Sequence, residues 1–80
     1  MTALNDIRDH AELLGWSRTY ATDTDTFVRS DKMVTVCYNR DGTVHCGHRY
    51  RFYSVSHVHL QDQTRNTGKK ADVICWLSEG

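Results

Sequence analysis

The sequence feature that most constrains the fold is a β-hairpin predicted for residues 33–53. Its turn, Asn39-Arg40-Asp41-Gly42, suits a type I turn with the glycine in the left-handed conformation. Apolar and polar residues alternate on both sides of this turn, as they do in strands with one buried face. The hairpin therefore predicts an antiparallel sheet, and its apolar face requires a second layer that covers it.

The turn also predicts the register of the two strands. The expected cross-strand neighbours are Tyr38 with Val44, Val36 with Cys46, and Val34 with His48. The face that holds the helices would then consist of Val34, Val36, Tyr38, Val44, Cys46, Tyr50 and Phe52. The opposite face would carry Met33, Thr35, Cys37, His45, Gly47, Arg49 and Arg51. This register separates Cys37 from Cys46, so that they could share neither an ion nor a disulfide.

A helix is predicted at each end of the chain. Residues 2–14 carry apolar side chains at spacings of three and four, and Thr2 can cap their first turn. Gly15 is a suitable C′ residue, and Trp16 can fold back on the helix behind it. The second helix is predicted from Lys69 to about Ser78.

The remaining segments complete the sheet. Residues 17–21 are predicted as an edge strand or an extended link, 22–26 as an exposed loop, and 27–30 as a strand. Residues 54–60 form a candidate fourth strand, and 61–68 form a loop. The predicted fold is one α+β domain over residues 1–80. It is a two-layer sandwich in which an antiparallel sheet of three to four strands carries both helices on one face.

Composition narrows the function classes. The ten basic and ten acidic residues cancel, whereas a non-specific nucleic-acid binder usually has a positive excess. Three cysteines do not make a disulfide framework, which favours a reducing cytoplasm. The sequence shows neither a signal-peptide pattern nor an apolar window long enough for a membrane span. A cytoplasmic protein that does not bind membranes is expected.

The cysteines and five histidines raise the question of a zinc or thiol site. Cys46-Gly47-His48 and His57-Val58-His59 each place two ligand types on one strand face, but their separations match no familiar zinc module. Cys37 and His45 are predicted cross-strand neighbours on a flat face that offers no cleft for a substrate. We therefore predict no metal, no cofactor, no catalytic residue and no small-molecule substrate, and hence no enzyme.

A surplus of apolar surface predicts a protein partner. Residues 73–77 are five consecutive apolar residues, so they surround the helix, and Trp76 or Cys75 must face away from the sheet. Methionine, aromatic and arginine side chains also mix on the far side of the predicted sheet, as in protein interfaces. The partner, a foreign protein or a second copy, is expected to contact Met33, Arg49, Arg51, Tyr53 and Trp76.

Nucleic-acid binding is the alternative. Lys69 and Lys70 open the second helix, where the helix dipole disfavours cations unless an anion such as phosphate docks there. The order α-β-β-β-α with Gly68-Lys69-Lys70-Ala71 at this point resembles the double-stranded-RNA-binding domain, whose second helix starts with a lysine cluster. In this alternative the nucleic acid contacts Arg65, Lys69 and Lys70.

As a whole the chain is similar to small accessory proteins encoded by actinobacterial phages, mycobacteriophages above all. The segments that carry the likeness are Leu14-Gly15-Trp16, Phe27-Val28-Arg29-Ser30-Asp31, Val34-Thr35-Val36, the Asp41-Gly42 turn and the terminal Trp76-Leu77 helix. The resemblance implies a non-essential protein in the cytoplasm of a bacterial host, acting by binding a host protein. It carries over no catalytic residue.

Overall fold

Along the chain, this protein consists of a helix, five strands that form one antiparallel sheet, and a second helix. The computed structural model describes residues 2–79. Its elements are α1 (Ala3–Leu13), β1 (Ser17–Ala21), β2 (Thr24–Arg29), β3 (Lys32–Tyr38), β4 (Val44–Ser54), β5 (His57–Gln63) and α2 (Lys69–Glu79). The strands are ordered β1-β2-β3-β4-β5, so each pairs with its neighbour in sequence. The predicted α+β class is confirmed, and the sheet has five strands rather than three or four.

The end of α1 follows the predicted cap. Gly15 has a φ of 83°, and its N–H donates to the carbonyl of Glu12 at 3.1 Å. The N–H of Trp16 donates to the carbonyl of Ala11 at 3.0 Å, which completes a Schellman motif. The buried Trp16 indole then donates through Nε1 to the carbonyl of Leu77 at 3.0 Å. The cap of α1 is thereby joined to α2.

The segment 22–26, predicted as an exposed loop, belongs mostly to a strand. The turn is confined to two residues because Asp23 adopts a φ of 59°, and β2 begins at Thr24, opposite Ala21. Asp25 and Phe27 then alternate with threonines and are fully buried. The candidate fourth strand is also displaced: β5 spans His57–Gln63, which shortens the loop predicted for 61–68.

The register of the central hairpin departs from the prediction after its first pair. Tyr38 is opposite Val44 as predicted, but His45 is an extra residue that forms a β-bulge in β4. Cys37 is therefore opposite Cys46. The later pairs are Val36 with Gly47, and Val34 with Arg49, so the predicted partners Cys46 and His48 are wrong. A one-residue shift moves every following side chain to the other face of the sheet.

The bulge changes which part of β4 faces the helices. Cys46, Tyr50 and Phe52 leave the predicted core face, and the positions of Gly47, Arg49 and Arg51 join it. A Cβ atom at Gly47 would lie 3.2 Å from Cγ2 of Val73 and 3.1 Å from Cγ2 of Thr64. The missing side chain lets α2 approach the backbone of β4, which is the physical reason for glycine at this position on the helix side.

The core lies between the helices and one side of the sheet. Its buried apolar residues are Ile7, Ala11, Trp16, Phe27, Val34, Val36, Tyr38, Val44, Val73, Trp76 and Leu77. Neither helix within residues 2–79 is long and apolar enough to cross a membrane.

Candidate functional site

The side of the sheet away from the helices is covered by no element formed by residues 2–79, and we call it the open face. The register and the alternation of side chains assign its members along the five strands. They are Ser17, Thr19 and Ala21 of β1; Thr24, Thr26 and Val28 of β2; Met33, Thr35 and Cys37 of β3; Cys46, His48, Tyr50 and Phe52 of β4; and Val58, Leu60 and Gln63 of β5.

The open face is free of aspartate, glutamate, lysine and arginine at these strand positions. The charged residues of the strands all lie on the helix side: Arg18, Asp25, Arg29, Lys32, Arg49, Arg51 and Asp62. One quarter of the whole chain is charged, so this partition is strongly uneven. A sheet face exposed only to water normally carries charged side chains.

Apolar side chains occupy one end of the open face. Val28, Met33, Tyr50 and Leu60 are successive cross-strand neighbours and form one row. Phe52 and Val58 form the next row, and Leu60 and Val58 are 47% and 43% exposed. The sequence did not reveal this surface, because the predicted register assigned Tyr50 and Phe52 to the core.

The predicted partner-binding residues do not share one surface. Only Met33 lies on the open face. Trp76 is buried on the helix side, with the Arg49 guanidinium 5.6 Å from its ring. Arg51 and Tyr53 lie toward the tip of the β4–β5 hairpin. The Arg51 guanidinium carbon is 5.9 Å from the centroid of the Tyr53 ring.

Two of these residues contribute to packing rather than to free surface. Arg49 forms ion pairs with Asp62 and Glu79 and covers the Trp76 ring, which fixes the C-terminal part of α2 on the sheet. Trp76 or Cys75 was expected to face away from the sheet, and Cys75 is the exposed residue of the two.

The cations of the alternative site also contact other parts of the chain. Lys70 Nζ donates to Asp6 Oδ2 at 2.6 Å, and Lys69 Nζ donates to the carbonyl of His45 at 2.9 Å. Arg65 Nη2 donates to Asp72 Oδ1 at 2.6 Å. These contacts connect α2 to α1 and β4, so the cations at the start of α2 have anionic or carbonyl partners within the protein.

The most buried charged residue is Asp25, which belongs to the segment predicted as an exposed loop. Asp25 is completely buried, and its carboxylate accepts hydrogen bonds from Arg8 at 2.8 and 3.0 Å, from Arg18 at 3.2 Å and from the Tyr38 hydroxyl at 3.0 Å. The Arg8 side chain thus points from α1 toward Asp25 of β2 and not toward the exposed side of the helix. Burial opposes ionisation of Asp25, but the hydrogen bonds from Arg8 and Tyr38 outweigh it and hold its pKa below the usual value.

A cavity of about 280 Å³ lies beside this carboxylate. It is lined by Arg8, Ala11, Glu12, Trp16, Arg18 and Phe27. None of these six side chains is a serine, threonine, cysteine or histidine, and both arginines are already bonded to Asp25. The Asp25 cluster therefore joins α1, β1 and β3 to β2.

The thiols are arranged differently from the prediction. Cys37 and Cys46, predicted on opposite faces, are directly opposite each other on the open face, and His45 is the bulged residue rather than the partner of Cys37. Burial and the neighbouring Cys37 thiol raise the pKa of Cys46. Within residues 2–79, no three histidine, cysteine or acidic side chains are placed to hold one metal ion.

Comparison with protein-family models, curated proteins and solved structures finds no match to this chain.

Proposed function

We propose that this protein is a non-enzymatic protein-binding module whose binding surface is the open face and whose partner is a second copy of the chain. The observation that carries the proposal is the segregation of charge across the sheet. All charged strand residues lie on the helix side, whereas the open face presents the apolar row Val28, Met33, Tyr50 and Leu60.

Self-association suits an uncharged surface in particular. In a two-fold symmetric interface each surface meets its own copy, so a face with a net charge repels its partner. The open face carries no such charge at its strand positions. Its methionine and aromatic side chains are residue types enriched in the buried centres of protein interfaces.

The size of the face is consistent with a specific dimer. Five strands about 4.8 Å apart give a width of about 24 Å, and six residues at about 3.3 Å each give a length of about 20 Å. Two such footprints, each about 480 Å², bury close to the roughly 1,000 Å² that a specific interface needs. The true accessible area is larger than the footprint because side chains project from the sheet.

The proposal replaces most of the residues predicted from the sequence. Met33 stays in the binding surface, and Tyr50 and Leu60 take the place of Arg49 and Trp76. A bacterial host protein, as the phage resemblance implies, would compete for the same face.

Light scattering after gel filtration tests the proposal over the micromolar range. The wild-type protein is expected to be a dimer, and Leu60→Glu to be a monomer, because a carboxylate would be buried against its own copy. Leu13→Glu is the matched control, since Leu13 is 85% exposed on α1 and away from the open face. A monomeric wild type, or equal behaviour of the two variants, would overturn self-association.

A further inference from the structure

A row of basic residue types crosses one end of the sheet on the helix side. Arg29 is opposite Lys32, Lys32 is opposite Arg51, and Arg51 is opposite His59. We call these four residues the basic row. At about 4.8 Å between strands, it spans about 14 Å. Like charges directly opposite each other on neighbouring strands destabilise a sheet, so folding does not account for this row.

Carboxylates compensate the basic row only in part. Arg51 Nε donates to Asp31 Oδ2 at 3.0 Å. Among the salt bridges formed by residues 2–79, none involves Arg29 or Lys32. Arg49, one row further into the sheet, is in contrast paired with two carboxylates. The end of the sheet therefore carries two cations, Arg29 and Lys32, that form no ion pair with the residues that the structure describes.

Exposed aromatic rings lie beside the basic row. Tyr53 is 60% exposed, and its ring is 5.9 Å from the Arg51 guanidinium. Its ring centroid lies 5.8 Å from that of His57 and 6.1 Å from that of His59, in edge-on arrangements. Cations next to an exposed ring are the combination that binds single-stranded nucleic acids, because cations attract phosphates and the ring stacks on a base.

We propose that the basic row and Tyr53 bind single-stranded nucleic acid. The phosphates lie along Arg29, Lys32 and Arg51, and one base stacks on Tyr53. This surface is on the opposite side of the sheet from the open face, and at the opposite end from Lys69 and Lys70. The zero net charge of the chain does not oppose the proposal, since at about 0.1 M salt charges further than about 10 Å are largely screened.

Fluorescence anisotropy with a labelled oligothymidylate of about 15 nucleotides tests the site. With three lysine or arginine contacts, the logarithm of the affinity should fall with that of the salt concentration at a slope of about −2, since single strands give about −0.7 per contact. Arg29→Ala/Lys32→Ala leaves one contact and should make the slope shallower, at about −0.7. Tyr53→Ala should weaken binding by about fivefold or more and leave the slope unchanged.

Lys69→Ala/Lys70→Ala is the matched control, because it removes the same charge at the other end of the sheet. It should retain wild-type affinity. Arg29→Ala/Lys32→Ala should also resist urea as well as or better than the wild type, since it relieves repulsion between opposite cations. Weaker binding without lower stability separates a ligand site from a structural one.

Three results would overturn the proposal: no salt-dependent binding of the oligonucleotide at low salt, an equal loss in the Lys69/Lys70 control, or displacement by polyglutamate at the concentration at which unlabelled oligonucleotide acts. The last would assign the basic row to an acidic peptide. Dimerisation through the open face is measured without nucleic acid, so either proposal can fail without the other.

Discussion

Arg8 and Asp25 form a two-point ion pair, with Nε 2.8 Å from Oδ2 and Nη2 3.0 Å from Oδ1, although the two residues are on different elements and Asp25 has no contact with water. Tyr38 and Arg18 donate to the same carboxylate. The pair ties α1 to β2 beneath the core, and several measurable properties depend on it.

Asp25→Asn should lower the free energy of unfolding by about 2–3 kcal/mol. This is less than the roughly 3–5 kcal/mol typical of a fully buried pair, because Arg8 and Arg18 are partly exposed and can turn to water. Urea denaturation measures the change. Asp31→Asn, which breaks the exposed pair with Arg51, should cost less than about 1 kcal/mol. Equal stabilities of the two variants would contradict the structural role of Asp25.

The depressed pKa of Asp25 predicts a particular acid sensitivity. A carboxyl whose pKa is lower in the folded state contributes stability above its unfolded pKa of about 3.9, and this contribution disappears as the pH falls through the folded pKa. The stability difference between wild type and Asp25→Asn should therefore be constant near neutral pH and shrink below about pH 4. Urea titrations in phosphate at neutral pH, and in acetate and formate at acid pH, test this; a difference that grows on acidification would refute it.

Gly47→Ala should destabilise the protein by about 1–2 kcal/mol, because the added methyl group meets Val73, Thr64 and the Thr35 carbonyl at 3.1–3.3 Å. The clash should be relieved when Val73 is also shortened. A double-mutant cycle with Val73→Ala is therefore expected to show a smaller cost for Gly47→Ala in the variant background. Additive effects would mean that α2 does not pack on Gly47 as described.

Cys37 and Cys46 should form a disulfide when the protein is equilibrated with a low-molecular-weight disulfide. Directly opposite residues on antiparallel strands have Cα separations of about 4.5–5.5 Å, within the range of disulfides. In the exchange the two thiols lose two protons and two electrons, and the oxidant is reduced to two thiols. Trypsin should then release peptides 33–40 and 41–49 joined by the disulfide.

Cys75, which is exposed on α2, provides the internal control for this oxidation. A mixed disulfide between Cys75 and the oxidant can be reduced under conditions that leave the disulfide between Cys37 and Cys46 intact. The Cys75 thiol should then react with an alkylating reagent. Failure of the two tryptic peptides to join, or joining to Cys75 instead, would contradict the register of β3 and β4.

The proposed dimer should be nearly insensitive to salt. Because the open face carries no lysine, arginine, aspartate or glutamate at its strand positions, there are no ion pairs across the interface for salt to screen. Sedimentation equilibrium at low and high sodium chloride should give the same dissociation constant within error. A dimer that dissociates in salt would place the interface on the charged helix side.

Local sequence patterns were sufficient for several elements. The stop of α1 at Gly15 and Trp16, the turn at residues 39–42 and the start of α2 at Lys69 all agree with the prediction. Caps and tight turns depend on residues within a few positions of one another, so the pattern that specifies them is visible in the sequence.

Asp25 shows where such patterns stop being informative. Its immediate neighbours are threonines, and Asp23 lies two positions before it, so the segment reads as an exposed loop. Its burial depends on Arg8 and Tyr38, which reach it from α1 and β3. The spacing of two between Asp25 and Phe27 was the available signal, because residues two apart in a strand face the same side and Phe27 faces the core.

The sequence by itself determined the α+β class, the two terminal helices and the turn of the central hairpin, because each follows from short-range periodicity and capping. Only the tertiary structure decided which way β4 faces. The bulge at His45 turns Gly47 toward Val73 of α2, and this contact joins residues distant in sequence. That one-residue shift placed Arg49 against Trp76, brought Cys37 opposite Cys46, and left the open face without charge.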